Sequence, residues 1–184
     1  METVLTPRSR LLKTATRLFY SEGIHTVPVD KLVTQANVTR ATFYRHFPAK
    51  EDLVVAYLRA KDAELREAVE AAAGSRAKAE AVLAVLDLIG DSTCSPGFRG
   101  CHFINAAAEY PDPSDPVRVV VAEHRKWLAD TLTRLAIQAG HPDPAYAASA
   151  LVLLHDGALS GGELDDPQAV RTTLHRVVRD LFGA

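Results

Sequence analysis

The stretch VDKLVTQANVTRATFYRHFPAK, residues 29–50, limits what this chain can fold into more than any other. Val29, Leu32, Val33 and Ala36 recur at helical spacing while Asp30, Lys31, Thr34 and Gln35 face the other way, so the segment reads as one short amphipathic helix. Asn37 stops it. Asparagine enters the left-handed backbone region at low cost, so Ala36-Asn37-Val38 reads as a tight turn that returns Val38 to the core. Thr39 suits the N-cap of a second helix, whose buried side comes from Phe43 and Phe47, four residues apart. Two short helices joined this way form a helix-turn-helix, over about residues 29–48.

The second helix leaves Arg40, Thr42, Tyr44, Arg45 and His46 pointing outward, with Ala41 as a small apolar neighbour. In chemical terms this is a nucleic-acid surface. Arginine offers two parallel donors to guanine, a small apolar group fits a thymine methyl, and Thr, Tyr, His and Lys hold phosphate oxygens. Reading the aromatics as plain core accounts for Phe43 and Phe47 but leaves Tyr44, Arg45 and His46 crowded on an outer face without a role.

VTRATFYRHFPAKEDLV, preceded by LFYSEGIHTVPVDKLVTQAN, resembles the DNA-binding domain of the TetR family of bacterial transcriptional regulators over roughly residues 7–55. The aromatic FYRHF block followed by Pro and Lys just ahead of a long helix is a specific signature; a bare helix-turn-helix pattern is not. The resemblance implies an all-α fold of about nine helices. It implies a three-helix DNA-binding domain at residues 6–55 and a helical ligand-binding and dimerisation domain at 56–184. It assigns Thr42, Tyr44 and His46 to the DNA backbone, Arg40 and Ala41 to base edges and Lys50 to a phosphate, with Thr39 and Arg45 in the same DNA-binding set. Val27-Pro28 and Ala49 stand where the family often has Ser or Thr, so backbone contacts by those hydroxyls are not carried over. Pro28 is expected at the first helical position, with Asp30 suited to the helix dipole.

The net charge of -2 over 184 residues argues, taken alone, against a nucleic-acid partner, but its distribution reverses that. Residues 1–50 hold eight of the 21 Lys and Arg and three of the 23 acids, leaving 13 basic against 20 acidic residues behind them. A basic head on an acidic body is what one phosphate-facing end produces. With 47% hydrophobic residues there is ample material for a core. Met1 to Arg10 lacks the apolar stretch of a signal peptide, no apolar run approaches spanning length, and two cysteines are too few for a disulfide framework; a cytoplasmic protein is expected.

Along the chain, Thr6-Pro7 opens a first helix with Leu11, Ala15, Leu18 and Phe19 on one stripe, ending near Gly23; Arg8, Arg10, Lys13 and Arg17 can add to the positive field. A long helix is expected from about Glu51 to Ala72, a boundary at Gly74-Ser75, and an interior helix from Ala79 to Ile89. GDSTCSPGFRG, residues 90–100, is expected as a loop because of its Gly and Pro content. Helices follow at Cys101 to Tyr110, Val117 to Ala139, Pro144 to Leu159 and Gln168 to Phe182. The last carries Val170, Leu174, Val177, Val178, Leu181 and Phe182 as a continuous stripe, and in the resembled family the last two helices form the dimer interface.

Phe98, His102, Phe103, Asn105, Tyr110, Trp127 and His155 lie in segments that in the TetR family surround a cavity, so a small organic effector is expected among them. Two other chemistries have candidate residues in the chain. Cys94 and Cys101 beside His102 could serve a thiol-based redox sensor, and His155-Asp156 with His124 and Asp180 could ligate the metal of an HD-type phosphohydrolase. The hydrolase leaves the FYRHF block unexplained, and the thiol sensor needs a low-pKa exposed thiol or further ligands, which a six-residue gap with one His does not supply. The expectation is a non-enzymatic, cofactor-free regulator, most simply a repressor. It binds a palindromic operator on double-stranded DNA as a homodimer, is released by a small molecule and has no membrane partner.

Overall fold

The computed structural model describes residues 5–74, 76 and 79–183. Among these residues there are nine helices and no strand: α1 Pro7–Glu22, α2 Val29–Gln35, α3 Arg40–His46, α4 Lys50–Ala73, α5 Ala79–Thr93, α6 His102–Glu109, α7 Pro116–Gln138, α8 Pro144–Leu164 and α9 Pro167–Phe182. No helix among them is long and apolar enough to cross a membrane. Ser75 of the expected Gly74-Ser75 boundary, and residues 1–4, lie outside the described residues. Two compact units emerge, one of residues 1–62 with 102–121 and the other of 63–101 with 122–184. This division is not collinear with the chain, whereas the expected functional division between residues 55 and 56 is.

In the first unit α1, α2 and α3 pack on one another around Leu11, Ala15, Leu18, Phe19, Leu32 and Phe43, all buried. Each buried Leu or Phe contributes about 1.5–3 kcal/mol, enough for such short helices to hold against their poor intrinsic stability. The termini are closed by local chemistry. Thr6 Oγ1 accepts from Ser9 N at 3.2 Å with Pro7 opening α1, and Thr39 Oγ1 accepts from Thr42 N at 3.1 Å to open α3. Asn37 has φ 51°, and Val38 N donates back to Val33 O at 3.0 Å, so the turn between the motif helices takes the left-handed form. Pro28 corrects one expectation: with φ -76° and ψ 158° it is the extended residue before α2 and not its first helical residue.

The second unit is built on α5, α8 and α9, which pack together around Val82, Val85, Leu86, Leu151, Leu159, Leu174 and Val178. Leu128, Leu132 and Leu135 of α7 belong to the same core. Two helices run further than their glycines imply. The expected loop at residues 90–100 begins only after Thr93, and α8 continues past Leu159 to Leu164. Both glycine positions serve close approach: a side-chain carbon at Gly90 would meet Arg171 Cγ at 2.9 Å, and one at Gly162 would meet Thr93 Cβ at 2.6 Å. Helix propensity yields where a neighbouring element must come this near.

Candidate nucleic-acid interface

Sequence and cap together set α3 so that its two faces differ sharply. Phe43 and Phe47 are buried, while Thr39, Arg40, Ala41, Tyr44 and Arg45 are exposed and Thr42 and His46 half-buried. An outward strip of donors, a small apolar side chain and an aromatic ring is therefore carried on a helix of two turns. Tyr44 packs edge-on against Phe43, with ring centroids 5.1 Å apart, and the Arg40 guanidinium sits 5.8 Å from the Tyr44 ring centroid. Arg40 Nη1 donates to Asp30 Oδ1 at 2.9 Å. These neighbours raise the Arg40 pKa further, Tyr44 contributing most and the charge of Asp30 next.

The strip is aimed by polar joints that the sequence alone did not reveal. Arg10 donates from Nε to Ala36 O at 3.1 Å and from Nη2 to Asn37 O at 3.0 Å, closing carbonyls at the end of α2 where a cation is favoured. Arg17 binds Gln35, Lys31 binds Glu22, and Arg8 lies over the Phe47 ring, so several cations of the head are spoken for by the fold itself. Lys50 is half-buried and donates to Ile24 O at 2.6 Å; burial lowers its pKa against the opposing charges of Glu51 and Glu109. Glu109, the last residue of α6, accepts from Ile24 N at 2.7 Å and from His25 N at 2.6 Å. One peptide after α1 is thus clamped through its N–H by α6 and through its carbonyl by α4. No pattern in the sequence marked Glu109, because the clamp joins residues 85 apart.

The residues expected around an effector divide between the units. His102, Phe103, Asn105 and Tyr110 belong to the first unit, and Phe98, Trp127 and His155 to the second. His102 Nδ1 lies 2.5 Å from Tyr57 Oη and its ring stacks 4.0 Å from Tyr20. Burial, helped by the charge of Lys61, lowers its pKa to about 4. Phe103 is buried and Asn105 exposed. Tyr110 is buried beside the His25 ring at 4.8 Å, and burial together with Glu51, Asp115 and Glu109 pushes its hydroxyl up to about 12. In the second unit Phe98 and Trp127 are half-buried, and the Arg66 guanidinium lies 4.6 Å over the Trp127 ring.

His155 is buried, with Nδ1 2.9 Å from Asp156 Oδ1, and Asp156 also receives Arg125 through Nη1 at 3.2 Å and Nη2 at 3.0 Å. Burial alone would push the Asp156 carboxyl up; the hydrogen bonds and charges of His155 and Arg125 outweigh it and bring the pKa down to about 2. The adjacent His-Asp pair is therefore part of a hydrogen-bonded chain that continues to Arg125. Among the described residues no group of three or more His, Cys, Asp or Glu side chains is placed to hold a metal ion. Cys94 is exposed and Cys101 half-buried, both as free thiols.

A groove of about 430 Å³ runs between α8 and α9, lined by Leu153, Leu154, Gly157, Gly161, Val170 and Leu174 among others and by none of the seven expected effector residues. The α9 stripe read from the sequence is split by the fold. Leu174 and Val178 are buried in the unit's own core, Val170, Leu181 and Phe182 pack against it, and Val177 faces out. Leu153 of the groove lining is 73% exposed, and Leu164 at the end of α8 is 81% exposed.

Residues 11–57 match the family model described as bacterial regulatory proteins, tetR family. The fold superposes on the crystal structure of a TetR-family transcriptional regulator from Streptomyces coelicolor with a TM-score of 0.92 and 50% identity, covering 96% of this chain and 94% of that one. A TetR-type regulator from Streptomyces avermitilis gives a TM-score of 0.82 at 27% identity, over 95% of this chain and 98% of that one. The HTH-type transcriptional regulator YjdC of Escherichia coli is 23% identical over 177 residues, covering 95% of this chain and 93% of its own.

Proposed function

Because this chain belongs to the TetR family of DNA-binding transcriptional regulators, we propose that it represses transcription by placing α3 of two subunits in successive major grooves of a palindromic operator. The observation that carries this reading is the exposed strip Arg40, Ala41, Tyr44 and Arg45, set on a helix whose other face is locked by Phe43 and Phe47. Arg40 and Ala41 meet base edges. Thr39, Thr42, Tyr44, Arg45 and His46 hold the phosphodiester backbone, and Lys50, with one ammonium proton committed to Ile24 O, reaches a phosphate with another.

The dimer forms through α8 and α9. Support comes from the α8–α9 groove, lined by exposed Leu153 together with Gly157 and Gly161, and from exposed Leu164 at the end of α8; apolar side chains around small residues let a second pair of helices approach closely. Half-sites then lie about one helical turn, ~34–36 Å, or a multiple apart. A small molecule relieves repression by binding an arrangement of helices with the wrong head spacing more tightly than the DNA-bound one. The eight-residue α6 supports this coupling, since it carries His102, Phe103 and Asn105 of the expected effector set and ends in Glu109, which fastens the peptide after α1. The site of action is the cytoplasm, where bacterial DNA lies.

Titration of duplex from the region upstream of the gene against random duplex, over a salt series, tests the reading. Arg40→Ala lowers the ratio of specific to random affinity. Lys50→Ala weakens both alike and flattens the salt dependence by about one unit of slope. An unchanged ratio in Arg40→Ala removes the base-reading role of Arg40.

A further inference from the structure

Asp30 is a carboxylate paired with Arg40, a member of the strip proposed above to face DNA. Of the three acids among residues 1–50, Glu2 lies outside the described residues and Glu22 is paired with Lys31, so Asp30 is the acid set beside α3. Its side chain is 74% exposed, and an exposed carboxylate at a DNA-facing surface opposes binding to every sequence alike. In the first turn of α2 it favours the helix dipole, but that role asks nothing of Arg40. Its Oδ1 nevertheless takes Arg40 Nη1 at 2.9 Å across the turn between the two motif helices. Tyr44 flanks the same guanidinium from α3.

An arginine at the first position of an exposed helix has several rotamers open to it, and the bond to Asp30 together with the Tyr44 ring beside the guanidinium favours one orientation over the rest. The guanidinium is a rigid fork whose two-point match to guanine O6 and N7 depends on its plane, so fixing that plane acts on discrimination more than on attraction. We propose that Asp30 is a specificity-determining positioning residue, holding Arg40 in the orientation that reads one base pair of each half-site while lowering affinity for DNA in general. The inference rests on the base-reading role of Arg40 proposed above.

Full-length wild type, Asp30→Ala, Asp30→Asn, Asp30→Glu, Arg40→Ala and the Asp30→Ala/Arg40→Ala double variant are each taken through selection from a random-sequence duplex library. Affinities are then measured for the wild-type selected duplex, its single-base variants and an unrelated duplex. Arg40→Ala is expected to lose preference at one base pair per half-site. Asp30→Ala and Asp30→Asn are expected to lose about fivefold of the preference at that same base pair, the factor matching an exposed ion pair near the top of its usual range. Both should also bind unrelated duplex more tightly than wild type does. Asp30→Glu should recover part of the lost preference, and the double variant should discriminate no worse than Arg40→Ala. A merely structural role in α2 would instead weaken all duplexes together and leave the base preference in place.

Preference retained at the Arg40 base pair in Asp30→Ala overturns the positioning role alone, and so does a loss that adds to that of Arg40→Ala. Preference retained at every position in Arg40→Ala overturns both the reading of Arg40 and the role of Asp30.

Discussion

The joints of the three-helix head are polar side chains answering backbone groups: Thr6 and Thr39 on amides, Arg10 on the carbonyls of Ala36 and Asn37, Lys50 on the carbonyl of Ile24 and Glu109 on the amides of Ile24 and His25. The helices α5, α8 and α9 of the second unit meet mainly through apolar packing, with leucines and valines interdigitated and Gly90 and Gly162 admitting Arg171 and Thr93, while Arg171 and His175 of α9 also reach Asp87 and Asp91 of α5. Polar joints fix direction because hydrogen bonds fail at wrong angles. Apolar packing supplies most of the stability and tolerates rearrangement so long as volume is kept. A helix that presents donors at set angles is served by the first kind, and a unit built around a large apolar core by the second.

Core truncation in the body breaks this comparison most severely. Leu151 is fully buried among α5, α8 and α9, so Leu151→Ala should lower unfolding stability by about 2–5 kcal/mol in chemical denaturation. A loss below about 1 kcal/mol would mean that the body is not the stability-bearing half.

Acid probes the first unit next. The folded chain holds His102 neutral down to about pH 4, while the unfolded chain takes up a proton below about 6.5. Stability present above pH 6.5 is therefore lost as the pH falls through that window, by on the order of 3 kcal/mol at most. His102→Gln should flatten this part of a stability-versus-pH curve; an unaltered slope would assign it to other groups.

Filling the close approach is smaller. Gly162→Val forces Thr93 aside and should cost about 1–3 kcal/mol, read as a lower Tm, whereas the same change at Gly157, which faces open space in this chain, should leave the monomer's stability nearly untouched and act on assembly. Thr39→Ala is smallest, about 1 kcal/mol from the lost cap of α3, and it sharpens the contrast if DNA affinity falls by more than that stability change predicts.

The head was legible in the sequence because its determinants are local. Asn37, Thr39 and the spacing of Phe43 and Phe47 each act within one or two turns, and each does in the fold what its chemistry implies. The body was less so. Gly90 reads as part of a loop and α8 as stopping at Leu159, yet Gly90 and Gly162 lie within helices and permit contact with Arg171 and Thr93, far along the chain, which no local pattern encodes. The same holds for Arg10 and Glu109, whose partners lie 26, 27, 84 and 85 residues away. The α9 stripe reads as interface through the resemblance, with closure of the monomer's core as the alternative, and the fold assigns most of it to the core, leaving Val177 outward. The expected DNA-binding residues were legible as a chemistry on one face, and the ion pair of Arg40 with Asp30 was not, because it spans two helices.

The central claim is that α3, presented twice by a dimer, reads a duplex. Its most direct test is selection of the full-length protein against random-sequence duplex DNA, with the stoichiometry of the recovered complex measured by sedimentation. The account predicts an inverted repeat with half-sites about one helical turn, ~34–36 Å, or a multiple apart, bound by an even number of subunits. Recovery of no preferred sequence, or of a single half-site bound by one subunit, would contradict it.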